Sequence, residues 1–281
     1  MSYASHERGG MEYYPCRYGA SRITFRGPRK SCEGAFAAFL GGTETYGRFV
    51  PDPFVAQVER ASGLPCVNFG VVNAGPDAFF SDPAVPGLAA AAAHVVIELT
   101  GAQNNSNRLY RVHPRRNDRF VKASDTLAAL YPEIDFSEHA FTRGLLRTLL
   151  DADAERFALV TAELQAAWTA RMKALIALLP APVTLLWCAE AEPPETLSYA
   201  EGEPLGAEPL FVTRAMIDAL APLADDTVVY VRSDAARAAG TDGMTFSDFD
   251  AGAAGQLLGA VAHEEIAGLL APLVARALQA A

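Results

Sequence analysis

The sequence predicts an α/β protein, a three-layer sandwich around a doubly wound, mostly parallel five-stranded sheet. Short apolar runs recur along the chain, segments of helical period separate them, and each run stops at a loop-like cluster. With 281 residues, 51% of them hydrophobic, the chain can bury a large core.

The five runs that read as strands are 36–40, 66–70, 94–99, 183–188 and 227–231. Between them lie helical segments. Residues 52–61 open with Asp52 and Pro53, a cap followed by a residue suited to a first turn, and 82–93 opens the same way. A long helix is expected over 153–179, a shorter one over 213–220 and a closing one over 264–278. Two stretches break the alternation: a basic insertion at about 104–147, part loop and part helix, and an acidic Pro-rich loop at about 189–210 that contains EAEPPE and EGEPLGAEP. No repeat or linker divides the chain, so residues 1–281 are expected to form one domain.

In a doubly wound sheet, ligands gather at the carboxyl ends of the strands near a topological switch point. That places GGTETYG, GVVNAGPD and TGAQNNSN on one rim.

Charge narrows the functional classes. Acidic residues outnumber basic ones 33 to 23, a net charge of −10, which argues against a general nucleic-acid or membrane-surface binder. The opening MSYASHERGG lacks the basic-then-apolar order of a secretory signal, and the most apolar stretch is interrupted too soon to span a bilayer, so a cytoplasmic protein is expected. Cys16, Cys32, Cys66 and Cys188 form no CxxC pair, and the five histidines lack the spacing of a metal site. No metal is expected. No cofactor is expected either, since neither GxGxxG nor GxxxxGK[ST] is present. The oligomeric state is not encoded in any readable motif.

The three rim loops, in this order, resemble the SGNH (GDSL-type) hydrolase superfamily. In GGTETYG, Gly42 stands where that family has Asp and Thr43 where it has the nucleophilic Ser. VNFGVVNAGPD resembles its second motif through Asn68, Gly70 and Gly75, and HVVIELTGAQNNSN its third, with Gly101 in place and either Gln103 or Asn104 at the amide position. AHEEIAGLL resembles the terminal segment and puts His263 at the base position, with Ala260 where an Asp is usual. The chain also resembles an uncharacterised bacterial family that shares GGTETYG, a YYPCRYGASR-like opening and HPRRNDRF.

The resemblance implies an ester-cleaving or acyl-transferring site with Thr43 as nucleophile, His263 as base, and Gly75 and Asn104 as oxyanion donors. Gly42, Glu44, Asn73 and Gln103 would contact substrate. Because Ala260 cannot orient His263, Asp248, Asp250 or Glu264 would have to do so. Bland alternatives stand beside each assignment: Thr43 as a helix cap, His263 as a surface residue at a helix start, and the QNNSN amides as turn-satisfying groups.

The basic insertion carries Arg108, Arg111, Arg115, Arg116, Arg119 and Lys122. Arginine forks suit phosphate, sulfate or carboxylate, so Arg108, Arg115 and Arg116 are expected to hold an anionic or glycan-type small-molecule substrate, unless they form a solvated face. Two other functional classes remain open at this stage: an inactive SGNH-fold binder of an anionic ligand, and a sulfo- or glycosyltransferase-like enzyme.

Overall fold

The computed structural model describes residues 10–197 and 205–279; the 198–204 part of the expected acidic loop lies outside the described residues. Five strands, β1 (Ala37–Gly41), β2 (Cys66–Gly70), β3 (His94–Glu98), β6 (Val183–Ala189) and β7 (Asp226–Val231), form one sheet in the order β2-β1-β3-β6-β7. Every neighbouring pair is parallel. This is the flavodoxin-like doubly wound order, which reverses direction between β1 and β3. Between β3 and β6 the chain adds an antiparallel hairpin, β4 (Tyr110–His113) and β5 (Arg116–Ala123).

Helices flank the sheet. In chain order they are α1 (Thr43–Tyr46), α2 (Phe54–Ser62), α3 (Asp77–Phe80), α4 (Val85–Ala90), α5 (Asp125–Leu130) and α6 (Thr142–Ala152). After α6 come α7 (Ala154–Ile176), α8 (Arg214–Asp218), α9 (Asp234–Ala239), α10 (Ala251–Ala254) and α11 (Ala260–Gln279).

The layering follows from strand periodicity. Successive side chains of a strand point to opposite faces. Ala38 and Leu40 of β1 join Val95, Leu185, Phe157 and Trp168 in one core, while Ala37 and Phe39 join Phe54, Ile266, Leu270 and Val274 in the other. All three central strands are buried throughout, which accounts for their largely apolar sequence. Each fully buried Leu, Val or Phe contributes roughly 1.5–3 kcal/mol of transfer free energy.

Strand ends shift by at most one residue from the sequence expectation and helix ends by up to four, and four of the departures have a local reason. The helix expected from residue 52 starts at Phe54, because Pro53 is extended (φ −71°, ψ 157°) and serves as the N-cap. The one expected over 82–93 contracts to α4, because the Asp82 carboxylate accepts from the Ala84 and Val85 N–H groups and holds a turn there. The closing helix begins at Ala260, four residues early, which draws His263 into its first turns. The insertion is a hairpin as well as loop and helix: Val112 and Phe120 are buried while Arg111, Arg116, Arg119 and Lys122 face outward.

Candidate active site

The loops after β1, β2, β3 and β6 surround a cleft of ≈ 490 Å³ at the carboxyl edge of the sheet. Its floor begins at the GGTETYG turn. Gly42 is the N-cap of α1 and carries no side-chain cap; Thr43 is the first helical residue, so its hydroxyl does not cap the helix. The far end of the turn is clamped by Arg26, whose guanidinium donates to the carbonyls of Tyr46 (3.3 Å), Gly47 (2.5 Å) and Pro51 (2.8 Å).

Beneath the turn lies a group that no motif announced. Glu98 ends β3, is 8% exposed, and accepts at Oε2 from the Gly42 N–H (2.8 Å), the Thr45 N–H (2.9 Å) and the Thr45 hydroxyl (2.5 Å). Burial pushes its carboxyl up to about 7; the Glu44 carboxylate adds to the rise, and the Thr45 and Gly42 donors oppose it. Gly42 matters here for what it lacks. A Cβ at that position would stand 3.1 Å from Glu98 Oε1 and 3.0 Å from Thr100 Cγ2, so any side chain would crowd the carboxylate. Cys188, at the end of β6, also lines the cleft; burial holds its thiol well above the usual range, and the charges of Glu98 and Glu44 act in the same direction.

The expected rim residues divide into two groups. Gly42, Thr43, Glu44, Asn73, Gln103 and Asn104 all line the cleft. Gly75, His263, Arg108, Arg115 and Arg116 stand outside its lining.

Each of the second group has a physical reason. The Gly75 N–H, expected as an oxyanion donor, donates to Asn117 Oδ1 at 2.9 Å. Its glycine identity serves close approach instead: a Cβ would sit 2.0 Å from the Asn104 carbonyl oxygen. His263 is wholly buried; its Nδ1 accepts the Phe54 N–H at 3.0 Å, and its ring stacks on Phe54 at 5.4 Å between centroids. It thus satisfies a first-turn N–H of α2 that Pro53 leaves uncapped. With Nδ1 an acceptor, the neutral ring carries its proton on Nε2, which faces Glu44 Oε2 at 3.7 Å. None of the three carboxylates expected to orient His263 is its partner; Asp250, for one, pairs with Arg48 at 3.3 Å. Arg108 is bound to Glu163 by its Nε (2.7 Å) and its terminal nitrogen, and Arg115 and Arg116 lie exposed at the hairpin turn.

The amides of the third loop are held in place rather than free. Asn104 Nδ2 donates to the Asn73 carbonyl (2.9 Å), and its Oδ1 accepts from the Thr142 hydroxyl (2.8 Å). Gln103 Nε2 donates to both Glu208 oxygens at 3.2 and 3.3 Å. Trp168 Nε1 binds the Thr100 carbonyl and the Tyr110 hydroxyl binds the Gln103 carbonyl, fixing the loop from below. Glu190 and Glu208 complete the acidic wall, each paired with arginine: Glu190 with Arg232, Glu208 with Arg143. Glu44 and Glu98 have no arginine or lysine partner among the described residues. No group of three or more His, Cys, Asp or Glu among the described residues could hold a metal ion, and no helix there is long and apolar enough to cross a membrane.

Fold and cleft together define a doubly wound α/β protein with an acidic, amide-rimmed site at the carboxyl edge of its sheet. The chain belongs to a family described as a domain of unknown function, DUF6473, whose model matches residues 1–278. No curated protein matches it. Among solved structures it is similar to a carbohydrate esterase family 2 enzyme with a carbohydrate-binding domain from Corynascus thermopiles (Myceliophthora fergusii). The identity is 13% and the TM-score 0.44, covering 92% of this chain and 71% of that one. It is also similar to a lipase from a goat rumen metagenome at 12% identity and TM-score 0.39, covering 84% of this chain and 98% of that one.

Proposed function

We propose that the protein is a divergent SGNH-like hydrolase or acyltransferase acting on an acyl ester of a neutral, hydroxyl-rich, glycan-type molecule, with Glu98 as general base. The observation that carries this reading is the Glu98 carboxyl itself: buried at the end of β3, left uncrowded by Gly42 and held near 7, it can exchange a proton at neutral pH.

Thr43 occupies the nucleophile position of the family pattern, but its hydroxyl donates to the neutral Asn73 amide oxygen, which cannot take up a proton. Attack is therefore assigned to water. Glu98 removes a proton from water as its oxygen adds to the ester carbonyl; the resulting oxyanion faces the Thr43 N–H, a first-turn donor with no intrahelical acceptor. Collapse expels the alcohol, which takes the proton from Glu98, and a free acid is left. In the transfer reaction an acceptor hydroxyl replaces water. The carboxylates and amides of the wall suit sugar hydroxyls and disfavour an anion, so the earlier expectation of an anionic substrate is not carried into this reading.

A second reading, a non-catalytic binder of the same neutral ligand class, is favoured by the burial of His263 away from the cleft. Hydrolysis of p-nitrophenyl acetate and 6-O-acetylglucose separates the two. The hydrolase reading expects turnover that rises with pH through about 7 and is lost in Glu98→Gln. Turnover that is absent, or indifferent to Glu98→Gln, removes it. An acyl adduct on Thr43 in quenched reactions would overturn the water-attack step.

A further inference from the structure

Asn73 stands midway along the second rim loop in the left-handed region, at φ +57°, a conformation that Asn tolerates better than most residues. That twist turns both its backbone N–H and its side chain toward Thr43. The N–H donates to Thr43 Oγ1 at 3.0 Å, and the Thr43 hydroxyl donates to Asn73 Oδ1 at 3.3 Å. The other end of the amide, Nδ2, donates to Asp118 Oδ2 at 3.4 Å. Asp118 stands in β5 of the basic hairpin, outside every motif of the rim loops.

The polarity of this chain is fixed from one end. An ionised carboxylate only accepts, so the amide must turn its nitrogen to Asp118 and its oxygen to Thr43. The oxygen in turn holds the hydroxyl proton. One Thr43 lone pair is used by the Asn73 N–H, and the remaining one belongs to a hydroxyl that lines the cleft. We infer that Asp118 is a positioning residue that, through the Asn73 amide, makes Thr43 Oγ1 a fixed hydrogen-bond acceptor for a hydroxyl of the substrate. The inference rests on the hydroxyl-rich substrate class proposed above and adds to it a donor-specific contact. It also gives the hairpin a role in the site: Asn117 and Asp118 both reach from β5 to the second rim loop, at Gly75 and Asn73.

The Asp118 side chain makes its hydrogen bond to Asn73 alone among the described contacts, so Asp118→Ala tests orientation with little burden on the fold. In the full chain, 6-O-acetylglucose offers donor hydroxyls and p-nitrophenyl acetate offers none. The expected result is a fall of about tenfold in the kcat/KM ratio of the first ester to the second in Asp118→Ala, carried by KM, with Tm unchanged. Thr43→Val should produce the same loss of selectivity and Thr43→Ser should retain the native ratio. An unchanged ratio in Asp118→Ala overturns the inference even where Glu98→Gln confirms hydrolysis. Should the wild-type chain turn over neither ester, the hydrolase reading fails by itself, and calorimetric titration with 6-O-acetylglucose decides the inference. Weaker binding in Asp118→Ala than in wild type sustains it; equal binding, or none in either, overturns it.

Discussion

The two edges of the sheet carry cavities of similar volume whose carboxylates are partnered differently. At the amino edge a groove of ≈ 580 Å³ is lined by His94, Pro182, Asp225, Asp226 and Arg276 among others. There the polar groups serve each other. Asp226 pairs with Arg276, the Asp225 carboxylate accepts the Val183 N–H, and His94 bonds to the Thr184 hydroxyl. At the carboxyl edge Glu98 and Glu44 face each other's charge with no lysine or arginine to neutralise them. Burying a carboxyl that has hydrogen-bond donors but no cationic partner costs stability, so its presence at one edge and absence at the other marks where the fold gives up stability for chemistry.

The contrast can be broken most severely at Glu98. Glu98→Gln should lower ester turnover about a hundredfold or more, while Asp225→Asn at the other edge should leave it unchanged, both read as kcat on p-nitrophenyl acetate. The same residue gives a signature in stability. Its folded pKa of about 7 lies above the ordinary 4.5, so the native state holds the proton more tightly than the unfolded chain does. Glu98's contribution to stability is greatest below about 4.5 and falls as pH rises toward 7, by about 3 kcal/mol in all, and the difference in urea midpoint between the wild-type chain and Glu98→Gln should change across that window with this slope.

His263→Ala removes a stacked, fully buried ring and strands the Phe54 N–H. It should cost about 2–4 kcal/mol of unfolding free energy in denaturant titrations, which a surface histidine would not. Gly42→Ala sharpens the comparison more gently: a methyl group beside Glu98 Oε1 and Thr100 should reduce kcat about tenfold with modest change in Tm. The smallest effect is expected at the amino edge. Arg276→Ala breaks a pair whose arginine is largely exposed and should shift stability by less than about 1 kcal/mol with no change in turnover.

The same contrast explains what the sequence made legible. All five strands of the sheet were readable because the three central parallel strands, buried on both faces, and the two edge strands beside them each keep a short apolar-rich run, and their loops met on one rim because the winding rules leave little choice. Thr43, Asn73 and Asn104 reach the cleft for that reason. Glu98 was hidden because a Glu closing HVVIE reads as the end of a strand; only the GGTET turn folded over it reveals a buried acid. Asp118 was hidden because a strand rich in Arg and Lys lacks the alternation that betrays a hairpin. His263 misled in the opposite direction. A histidine beside the closing helix fits a base position in one dimension, yet the helix starts four residues earlier and turns the ring inward to Phe54.

That inward ring has a consequence in time. The Phe54–His263 bond closes a loop of 209 residues, and the Leu258 N–H reaches Glu44 across 214. Contacts of such sequence separation form late, after local structure is in place. During synthesis the first crossover helix and the GGTETYG turn leave the ribosome long before the segment that secures them. The contacts that tether Glu44 and the first turn of α2 are therefore made last, and a nascent chain that still lacks the segment from Leu258 into α11 holds its first rim loop without them.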